Sequence, residues 1–475
     1  MLFHSPDYLL FLPLVVLLHW LLPRRLRLPM MAASSVFFYG SWSLQYLPVM
    51  VGVIAVAWAG GRWLAAQERG AAGRWLVALP ILFPLLLVKY WDWVAWNLEW
   101  VATRAGVPLA LPRAGLIMPV GISFFTFQAL AYTIDVSRRA GVAPGEAERS
   151  PLRFFTFIAW FPQLIAGPIL RANQLMPALR DLPLLQRGQI GSGLYRIGRG
   201  VFKKVVLADV VRLGMVDPVF ADPGQFGSVE LLLALYAYSL QIYCDFSGYT
   251  DMAIGSARLF GIELPENFRR PYLATSVAGF WRRWHITLSD WVRDYVYYPL
   301  GGSRGQGSDL RVYANIMLTL MIIAMWHKAS WNYVVYGLLH GSAGALNRWQ
   351  RKRTGRRPDD PLPSTWAWLW RFLLTFHFVV LARILFRAPD LHTAGLVLAG
   401  LVPHDLAMPR FSLVAWFVFV LGFALHFSPP RWSRQAEAWV AGRGPLVWLL
   451  VAALIAVACV TLGTGEQLSF IYYQY

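Results

Sequence analysis

The chain has 475 residues, of which 57% are hydrophobic and 14% are charged, with a mean hydropathy of +0.47. Soluble domains carry roughly 25% charged residues, so this composition argues against a soluble protein and favours a polytopic membrane protein. The net charge of +18 does not favour nucleic-acid binding, because the basic residues lie between apolar runs and not on one polar face. They follow the bias towards basic cytoplasmic loops, where anionic lipid headgroups are partners. An anionic soluble substrate stays an alternative use for some of them.

Apolar runs long enough for a membrane helix, about 20 residues, recur along the chain. The first, Tyr8–Pro23, lacks a basic leading segment and a small-residue cleavage site, which predicts a retained span and not a signal peptide. The charge-free Met30–Gly61 is long enough for two short or tilted helices. Phe154–Leu170 is interrupted by Pro162, Gly167 and Pro168, which predicts a segment that lines a cavity or re-enters the membrane. Ile190–Val216 is predicted to be partly an interfacial amphipathic helix. The other predicted runs are Trp75–Val88, Ala114–Ile134, Val229–Cys244, Val312–Trp326, Ala329–Leu346, Trp366–Phe386, Ala394–Val402, Phe411–Phe427 and Pro445–Leu462.

This pattern predicts an all-α protein with about 10–12 membrane-embedded helices, some of them re-entrant or interfacial. We expect residues 1–475 to form a single membrane domain. Arg24–Arg27 directly follows the first span, which places that end in the cytoplasm and Met1 outside. The basic linker Arg351–Pro363 is expected to be cytoplasmic too. The two cysteines, Cys244 and Cys459, give neither a disulfide framework nor metal-ligand spacing.

The core motif region, Asp245–Gly341, contains three of the nine histidines, His285, His327 and His340. A titratable group at membrane depth is costly and by default suggests function, although any one of them can be a satisfied core histidine. His327 directly follows the apolar run Val312–Trp326, which contains no charged residue. Its neighbour Lys328 either marks the end of the helix, with its ammonium at the interface, or disfavours the His327 imidazolium by repulsion.

His285 lies in Phe280–Gly302, which is dense in Trp, Tyr and Arg and contains no long apolar run. This composition predicts a helix at the membrane interface, with aromatic rings at headgroup depth. A histidine there is also suited to accept a proton near neutral pH. The sequence contains no GxxxxGK[ST], GxGxxG, HExxH or GxSxG motif, so it gives no support to nucleotide, zinc-protease or serine-hydrolase chemistry.

Several long strings resemble the membrane-bound O-acyltransferase (MBOAT) family, in the branch of bacterial polysaccharide O-acetylation proteins of the alginate type. The strings are MPVGISFFTFQALAYTIDV, FPQLIAGPILR, IYCDFSGYTDMAIG, ENFRRPY, FWRRWHITLSDWVRDYVYYPLGG and the C-terminal FIYYQY. The resemblance covers nearly the whole chain. It implies a fold with a central tunnel that links a cytoplasmic acyl-CoA site to an extracytoplasmic acceptor.

The resemblance also implies roles for individual residues. The family's histidine in WRRWHxSLS maps onto His285, and its second histidine, at the end of a helix, maps onto His327. His340 matches a further recurrent histidine to which we assign no catalytic role. The chain departs from the family at Lys328, where glycine is usual. We therefore expect His327 to activate the acceptor hydroxyl, and His285 to orient the acceptor or share the proton. Weaker candidates for tunnel walls and substrate contacts are Arg282, Trp284, Asp294 and Asn315.

The resemblance predicts an inner-membrane O-acyltransferase that moves acetyl from cytoplasmic acetyl-CoA for O-acetylation of an extracytoplasmic polysaccharide. The expected partners are acetyl-CoA, the lipid bilayer and a periplasmic acetyltransferase- or esterase-like protein that receives the acetyl group. No bound cofactor, metal or nucleic acid is expected. Within the family, a peptidoglycan or cellulose O-acetylation protein is the alternative. Alternatives from other classes are a transporter that uses His285 and His327 as a proton relay, and a non-catalytic scaffold that anchors a partner enzyme.

Overall fold

The computed structural model describes residues 1–66, 71–138, 147–302, 308–355, 364–403 and 409–462. These residues form helices and irregular segments, with no strand among them. The predicted all-α class is therefore confirmed. The C-terminal string FIYYQY, Arg356 and Arg357 lie outside the described residues. The α-helices are Pro6–Leu21, Arg24–Gly40, Leu47–Ala66, Ala71–Arg104, Ile122–Ser137, Pro151–Ala159, Phe161–Leu164, Ala172–Asp181, Gln189–Val201, Asp209–Val211, Asp217–Ala221, Ser228–Arg258, Val277–Trp281, Ile286–Val292, Asp309–His327, Trp331–Thr354, Thr365–Arg387, Leu391–Gly400, Leu413–Phe427, Pro430–Ala441 and Pro445–Leu462.

Short 3-10 and π-helical segments interrupt or join these helices. The 3-10 segments are Leu44–Tyr46, Pro223–Gln225 and Pro271–Leu273, and the π-helical segments are Phe202–Ala208, Arg212–Val216 and Arg293–Tyr297. π-Helical turns are rare and often occur at functional sites. Ile190–Val216 is helical nearly throughout, as its pattern indicated, and its location at the interface stays a prediction.

In the described part of the chain, five helices are long and apolar enough to cross a membrane. They are Leu44–Ala66, Ala72–Arg104, Asp309–His327, Thr365–Arg387 and Pro445–Leu462. A further pair, Leu413–Phe427 and Pro430–Ala441, bends by 91° and forms a broken span or a re-entrant loop. The shorter apolar helices Pro6–Leu21 and Leu391–Gly400 add to these. The chain is thus an all-α polytopic membrane protein.

Two predicted breaks in apolar runs occur in the structure, and two predicted helices differ from it. Met30–Gly61 is divided between two helices, and Phe154–Leu170 breaks at Trp160 and loses helical structure after Leu164. The helix predicted over Ala114–Ile134 begins only at Ile122. Phe280–Gly302 is not one interfacial helix, because the first helix ends at Trp281 and the next begins at Ile286, after His285 with its left-handed backbone of φ +43°.

The described residues cluster into two compact units. The single membrane domain expected over residues 1–475 stays a prediction. The first unit consists of Met1–Gly198, Thr250–Pro265 and Glu437–Ala456. Inside it, the Tyr8 hydroxyl lies 2.9 Å from the Ser256 hydroxyl. Arg196 Nε donates to Asp251 Oδ1 over 2.8 Å, and both side chains are buried. Burying a charge is costly unless it is paired, so this ion pair satisfies two charges inside the unit.

The second unit consists of Arg199–Tyr249, Glu266–Ala436 and Val457–Tyr475, and it contains all three histidines of the core motif region. In this unit Asp309–His327 and Trp331–Thr354 form a helical hairpin. A Cβ atom on Gly337 would lie 2.8 Å from Met321 Cα, and one on Gly341 would lie 2.9 Å from Met317 Cα. Small residues allow membrane helices to approach closely, so these two glycines fix the spacing of the hairpin.

The turn of the hairpin is held against the end of the Thr365–Arg387 helix. Asn332 Nδ2 donates to the carbonyl of Ala388 over 2.9 Å, and the Tyr333 hydroxyl donates to the carbonyl of Phe386 over 3.1 Å. His327 is the last residue of the first hairpin helix, so these hydrogen bonds help to fix the position of its backbone.

We expect Gly341→Ala to lower the melting temperature of the detergent-purified protein. The added Cβ would contact backbone, and overpacking of this kind costs about 1–3 kcal/mol. The matched control is Gly52→Ala, because a Cβ at this helical position meets no atom within 4 Å. Equal melting temperatures for the two variants would contradict the close hairpin packing.

Candidate active site

His327 is buried at the end of its helix, with 3% of its surface exposed. Its Nδ1 lies 2.7 Å from the carbonyl oxygen of Ile323. Because a carbonyl can only accept, Nδ1 must carry the proton, and the lone pair of the neutral ring lies on Nε2. Lys328 follows in an extended conformation, with φ −154° and ψ 138°. The predicted helix end at this junction is therefore confirmed, whereas an effect of Lys328 on His327 stays a prediction.

The indole of Trp326 contacts both candidate histidines. Its ring centroid lies 5.9 Å from that of His285 and 4.8 Å from that of His327. Phe246 packs edge-on against His285 at 4.7 Å, and Phe386 packs edge-on against His327 at 5.1 Å. The structure thus brings the two predicted histidines together in an aromatic environment that limits access of water.

Asn267 fixes the position of His285. Its Oδ1 accepts from the Thr287 backbone N–H over 3.2 Å and from the Thr287 hydroxyl over 3.0 Å. The same oxygen lies 3.2 Å from His285 Nδ1, and the carbonyl of Asn267 accepts from Ile286 N over 2.9 Å. A backbone N–H can only donate, so the amide atom in this position is oxygen and His285 Nδ1 is the donor. The lone pair of His285 is therefore also on Nε2.

The backbone of His285 is strained. Its φ of +43° and ψ of +56° are left-handed, a conformation that costs a non-glycine residue about 1–3 kcal/mol and is often found at active sites. The side chain is fully buried. Burial lowers the pKa of His285 well below its usual range, and the nearby His327 lowers it further. A neutral imidazole, which is able to accept a proton, therefore occupies this site.

The weaker sequence candidates occupy different environments. Trp284 is buried, and its ring stacks on Phe280 with centroids 5.6 Å apart. Arg282 is exposed. Asp294 is half-buried and pairs with Arg293 Nε over 2.8 Å, and Asn315 Nδ2 donates to the carbonyl of Leu300 over 2.7 Å.

None of these contacts joins the weaker candidates to His285 or His327, and their roles in substrate binding stay predictions. In the part of the chain that the structure describes, no group of three His, Cys, Asp or Glu side chains is arranged to bind a metal ion.

Two residues of this region were not identified from the sequence. Asn267 lies in the string ENFRRPY, but nothing in its spacing shows that it reaches His285, 18 positions along the chain. Arg383 lies in the apolar run Trp366–Phe386, and its guanidinium stacks 4.7 Å from the ring of Trp284. A charged residue inside a predicted span was the signal that would have found it.

We expect Asn267→Ala to lower the melting temperature clearly. The change removes the acceptor of three buried donors, and each unsatisfied group costs about 1–3 kcal/mol. Asn97→Ala serves as control, because Asn97 is a half-buried asparagine whose side-chain N–H donates to the carbonyl of Trp93, one turn earlier on the same helix. Asn267→Asp, which keeps an acceptor oxygen, should lose less stability than the alanine variant. An Asn267→Ala protein as stable as the Asn97→Ala control would contradict this role.

Comparison with known proteins identifies the family. The sequence model of MBOAT, the membrane-bound O-acyltransferase family, matches residues 146–386. The peptidoglycan O-acetyltransferase of Helicobacter pylori is 35% identical over 435 residues, covering 85% of this chain and 80% of that protein. The probable alginate O-acetylase AlgI of Azotobacter vinelandii is 36% identical over 410 residues, covering 84% and 78%. A teichoic acid D-alanyltransferase of Bacillus subtilis is 28% identical over 297 residues, covering 59% and 71%. The chain therefore belongs to the membrane-bound O-acyltransferase family and is an O-acyltransferase.

Proposed function

We propose that this protein transfers acetyl from cytoplasmic acetyl-CoA across the bacterial inner membrane for O-acetylation of an extracytoplasmic polysaccharide of the alginate type. The observation that carries the proposal is the His327 Nδ1 bond to the Ile323 carbonyl, which leaves the lone pair of a buried imidazole on Nε2. General base catalysis requires this protonation state. The relatives named as O-acetylases and O-acetyltransferases support acetyl as the group transferred.

In the proposed reaction, His327 Nε2 accepts the proton of the acceptor hydroxyl as its oxygen attacks the thioester carbonyl carbon. The carbon–sulfur bond breaks, and the coenzyme A thiolate takes up the proton, which leaves an acetyl ester on the acceptor. The neutral imidazole accepts the proton at Nε2, and the resulting imidazolium donates it to the thiolate sulfur, which returns the ring to its neutral state. The aromatic rings of Trp326 and Phe386 limit water, which would otherwise compete with the acceptor for the thioester.

His285 assists in this proposal by orienting the acceptor hydroxyl. Asn267 holds its Nδ1, so its Nε2 is available as a hydrogen-bond acceptor for the same hydroxyl before the proton moves to His327. A strained backbone and two hydrogen bonds from Thr287 to Asn267 fix the ring, and such positioning lowers the entropic cost of reaction.

A second acceptor, peptidoglycan, is favoured by one observation. The relative named a peptidoglycan O-acetyltransferase is matched over 435 residues at 35% identity, nearly the same as the relatives named for alginate. For either acceptor we propose a periplasmic acetyltransferase- or esterase-like partner that receives the acetyl group. Membership of an acyltransferase family argues against the alternative of a proton-relay transporter.

We expect His327→Ala to lower acetyl transfer from acetyl-CoA by about 10²–10⁴-fold, the contribution that a general base usually makes. His392→Ala is the matched control, because His392 is an exposed histidine of the same unit. The measurement is mass spectrometry of cell-surface polysaccharide, with alginate and peptidoglycan fractions analysed separately. Normal acetylation by a well-expressed His327→Ala protein would rule out the base. Loss of acetyl groups from the peptidoglycan fraction alone would select the second acceptor.

The proposed orientation has a separate test. Cysteine placed at Asp7, near the N-terminus, should react with an impermeant thiol reagent in intact cells, whereas cysteine at Arg353 should react only after lysis. Both positions are exposed. The two native cysteines, Cys244 and Cys459, are buried, so background labelling should be low. Ready labelling at Arg353 in intact cells would reverse the orientation.

A further inference from the structure

Arg383 is a buried cation in a helix that is long and apolar enough to cross the membrane. Only 3% of the residue is exposed, and it lies in Thr365–Arg387. Its guanidinium stacks over the rings of Trp284 and Tyr272, at 4.7 Å and 5.3 Å. An ionisable group in such a helix is expensive and is usually kept for function.

The acceptors available to Arg383 are neutral. Its Nη1 donates to the carbonyl of Ser239 over 3.2 Å, and the Tyr272 hydroxyl donates to the same carbonyl. Among the described residues, no carboxylate forms an ion pair with it. Arg387, one turn later, differs in this respect, because its Nη2 pairs with Asp217 Oδ1 over 2.8 Å. The same helix therefore contains one neutralised arginine and one whose positive charge stays uncompensated.

His340 adds a second buried donor beside Arg383. The Trp281 indole N–H donates to His340 Nδ1 over 3.3 Å, so the proton of the neutral ring lies on Nε2. His340 is fully buried, and this Nε2 has no acceptor within the described residues. The ring of Phe378, on the same helix as Arg383, packs 5.1 Å from that of His340, so His340 lies against the helix that carries Arg383. We call Arg383 and His340 the donor pocket.

Intervening aromatic side chains connect the donor pocket to the neighbourhood of both candidate catalytic histidines. Trp284, on which Arg383 stacks, directly precedes His285. Tyr336 packs 4.4 Å from His340 and 5.6 Å from Phe386, and Phe386 in turn packs 5.1 Å from His327. A buried donor without an acceptor, such as His340 Nε2, costs about 1–3 kcal/mol. Arg383 adds a positive charge that has only neutral acceptors, so the two side chains together point to a ligand that supplies an oxygen atom with negative charge.

We propose that the donor pocket is an oxyanion subsite, in which Arg383 and His340 bind a substrate oxygen that carries or develops negative charge. The inference rests on the acetyl-transfer function proposed above. Two sources of this oxygen share the same chemistry: the thioester carbonyl, whose oxygen gains the electron pair when the hydroxyl attacks, and a carboxylate of the acceptor. Preorganised donors in a water-poor site stabilise such charge strongly.

The test uses purified full-length protein in detergent with acetyl-CoA as the probe. Arg383→Met, which removes the charge at similar length, is compared with Arg371→Met, an exposed arginine of the same helix. We expect Arg383→Met to lower kcat by about 10²–10³-fold, the usual effect of removing an oxyanion donor. If kcat falls for both acetyl-CoA hydrolysis and transfer to the acceptor, the donor pocket binds the thioester oxygen. If kcat falls for transfer alone, the donor pocket binds the carboxylate of the acceptor.

Two further variants keep the proposal testable if Arg383→Met does not fold. Arg383→Lys keeps a cation over the aromatic rings but loses the forked donor, and His340→Gln alters the second donor. If Arg383 has a purely structural cation–π role, both folded variants should keep full activity, and this result would overturn the subsite. Reduced kcat at an unchanged melting temperature supports the subsite.

A wild-type protein inactive on acetyl-CoA would overturn the proposed function and this inference together. An active wild type whose Arg383 variants match Arg371→Met would overturn the inference alone.

Discussion

The hydrogen bond from His327 Nδ1 to the carbonyl of Ile323 determines which ring nitrogen can take part in chemistry. A histidine at a helix end normally has either nitrogen available, and here the backbone carbonyl of the preceding turn leaves Nε2 with the lone pair. The surrounding structure preserves this geometry. Gly337 and Gly341 allow the two hairpin helices to approach, and Tyr333 binds the carbonyl of Phe386, whose ring packs against His327.

Buried charge is a second constraint, and the protein meets it in two ways. Most buried ionic groups in the described residues are paired. Lys204, for example, lies 2.7 Å from Asp245 Oδ1 and 2.8 Å from Asp209 Oδ1. Pairs of this kind offset the cost of desolvation without providing a reactive group. Arg383 is different, because aromatic rings and neutral oxygens surround it, and its charge can act on a substrate.

The sequence predicted those features that depend on local pattern. Apolar runs on both sides of His327 located the two helices of the hairpin and the junction between them. Proline and glycine indicated an interruption of Phe154–Leu170, and the structure has a break at Trp160. His285 and His327 were identified through strings that resemble a family, and the structure brings them to one tryptophan.

The features that the sequence did not predict depend on contacts between residues that are distant in the chain. The left-handed backbone of His285 interrupts a segment whose composition favoured one helix, since a non-glycine residue in this conformation has no compositional signal. Asn267 reaches His285 only because the intervening chain folds back. The sequence shows Arg383 as a charged residue in an apolar run. Its lack of a carboxylate partner among the described residues could be recognised only from the structure.

The most direct measurement of the central claim is the structure of the protein with a non-reactive thioether analogue of acetyl-CoA. A base lies about 2.6–3.2 Å from the hydroxyl it activates, and the attacking oxygen lies about 3–3.5 Å from the carbonyl carbon. The analogue's carbonyl carbon should therefore lie within about 7 Å of His327 Nε2, with Nδ1 still bound to the Ile323 carbonyl. A carbonyl carbon well beyond this distance, or an imidazole turned so that Nε2 binds the backbone, would contradict His327 as the base.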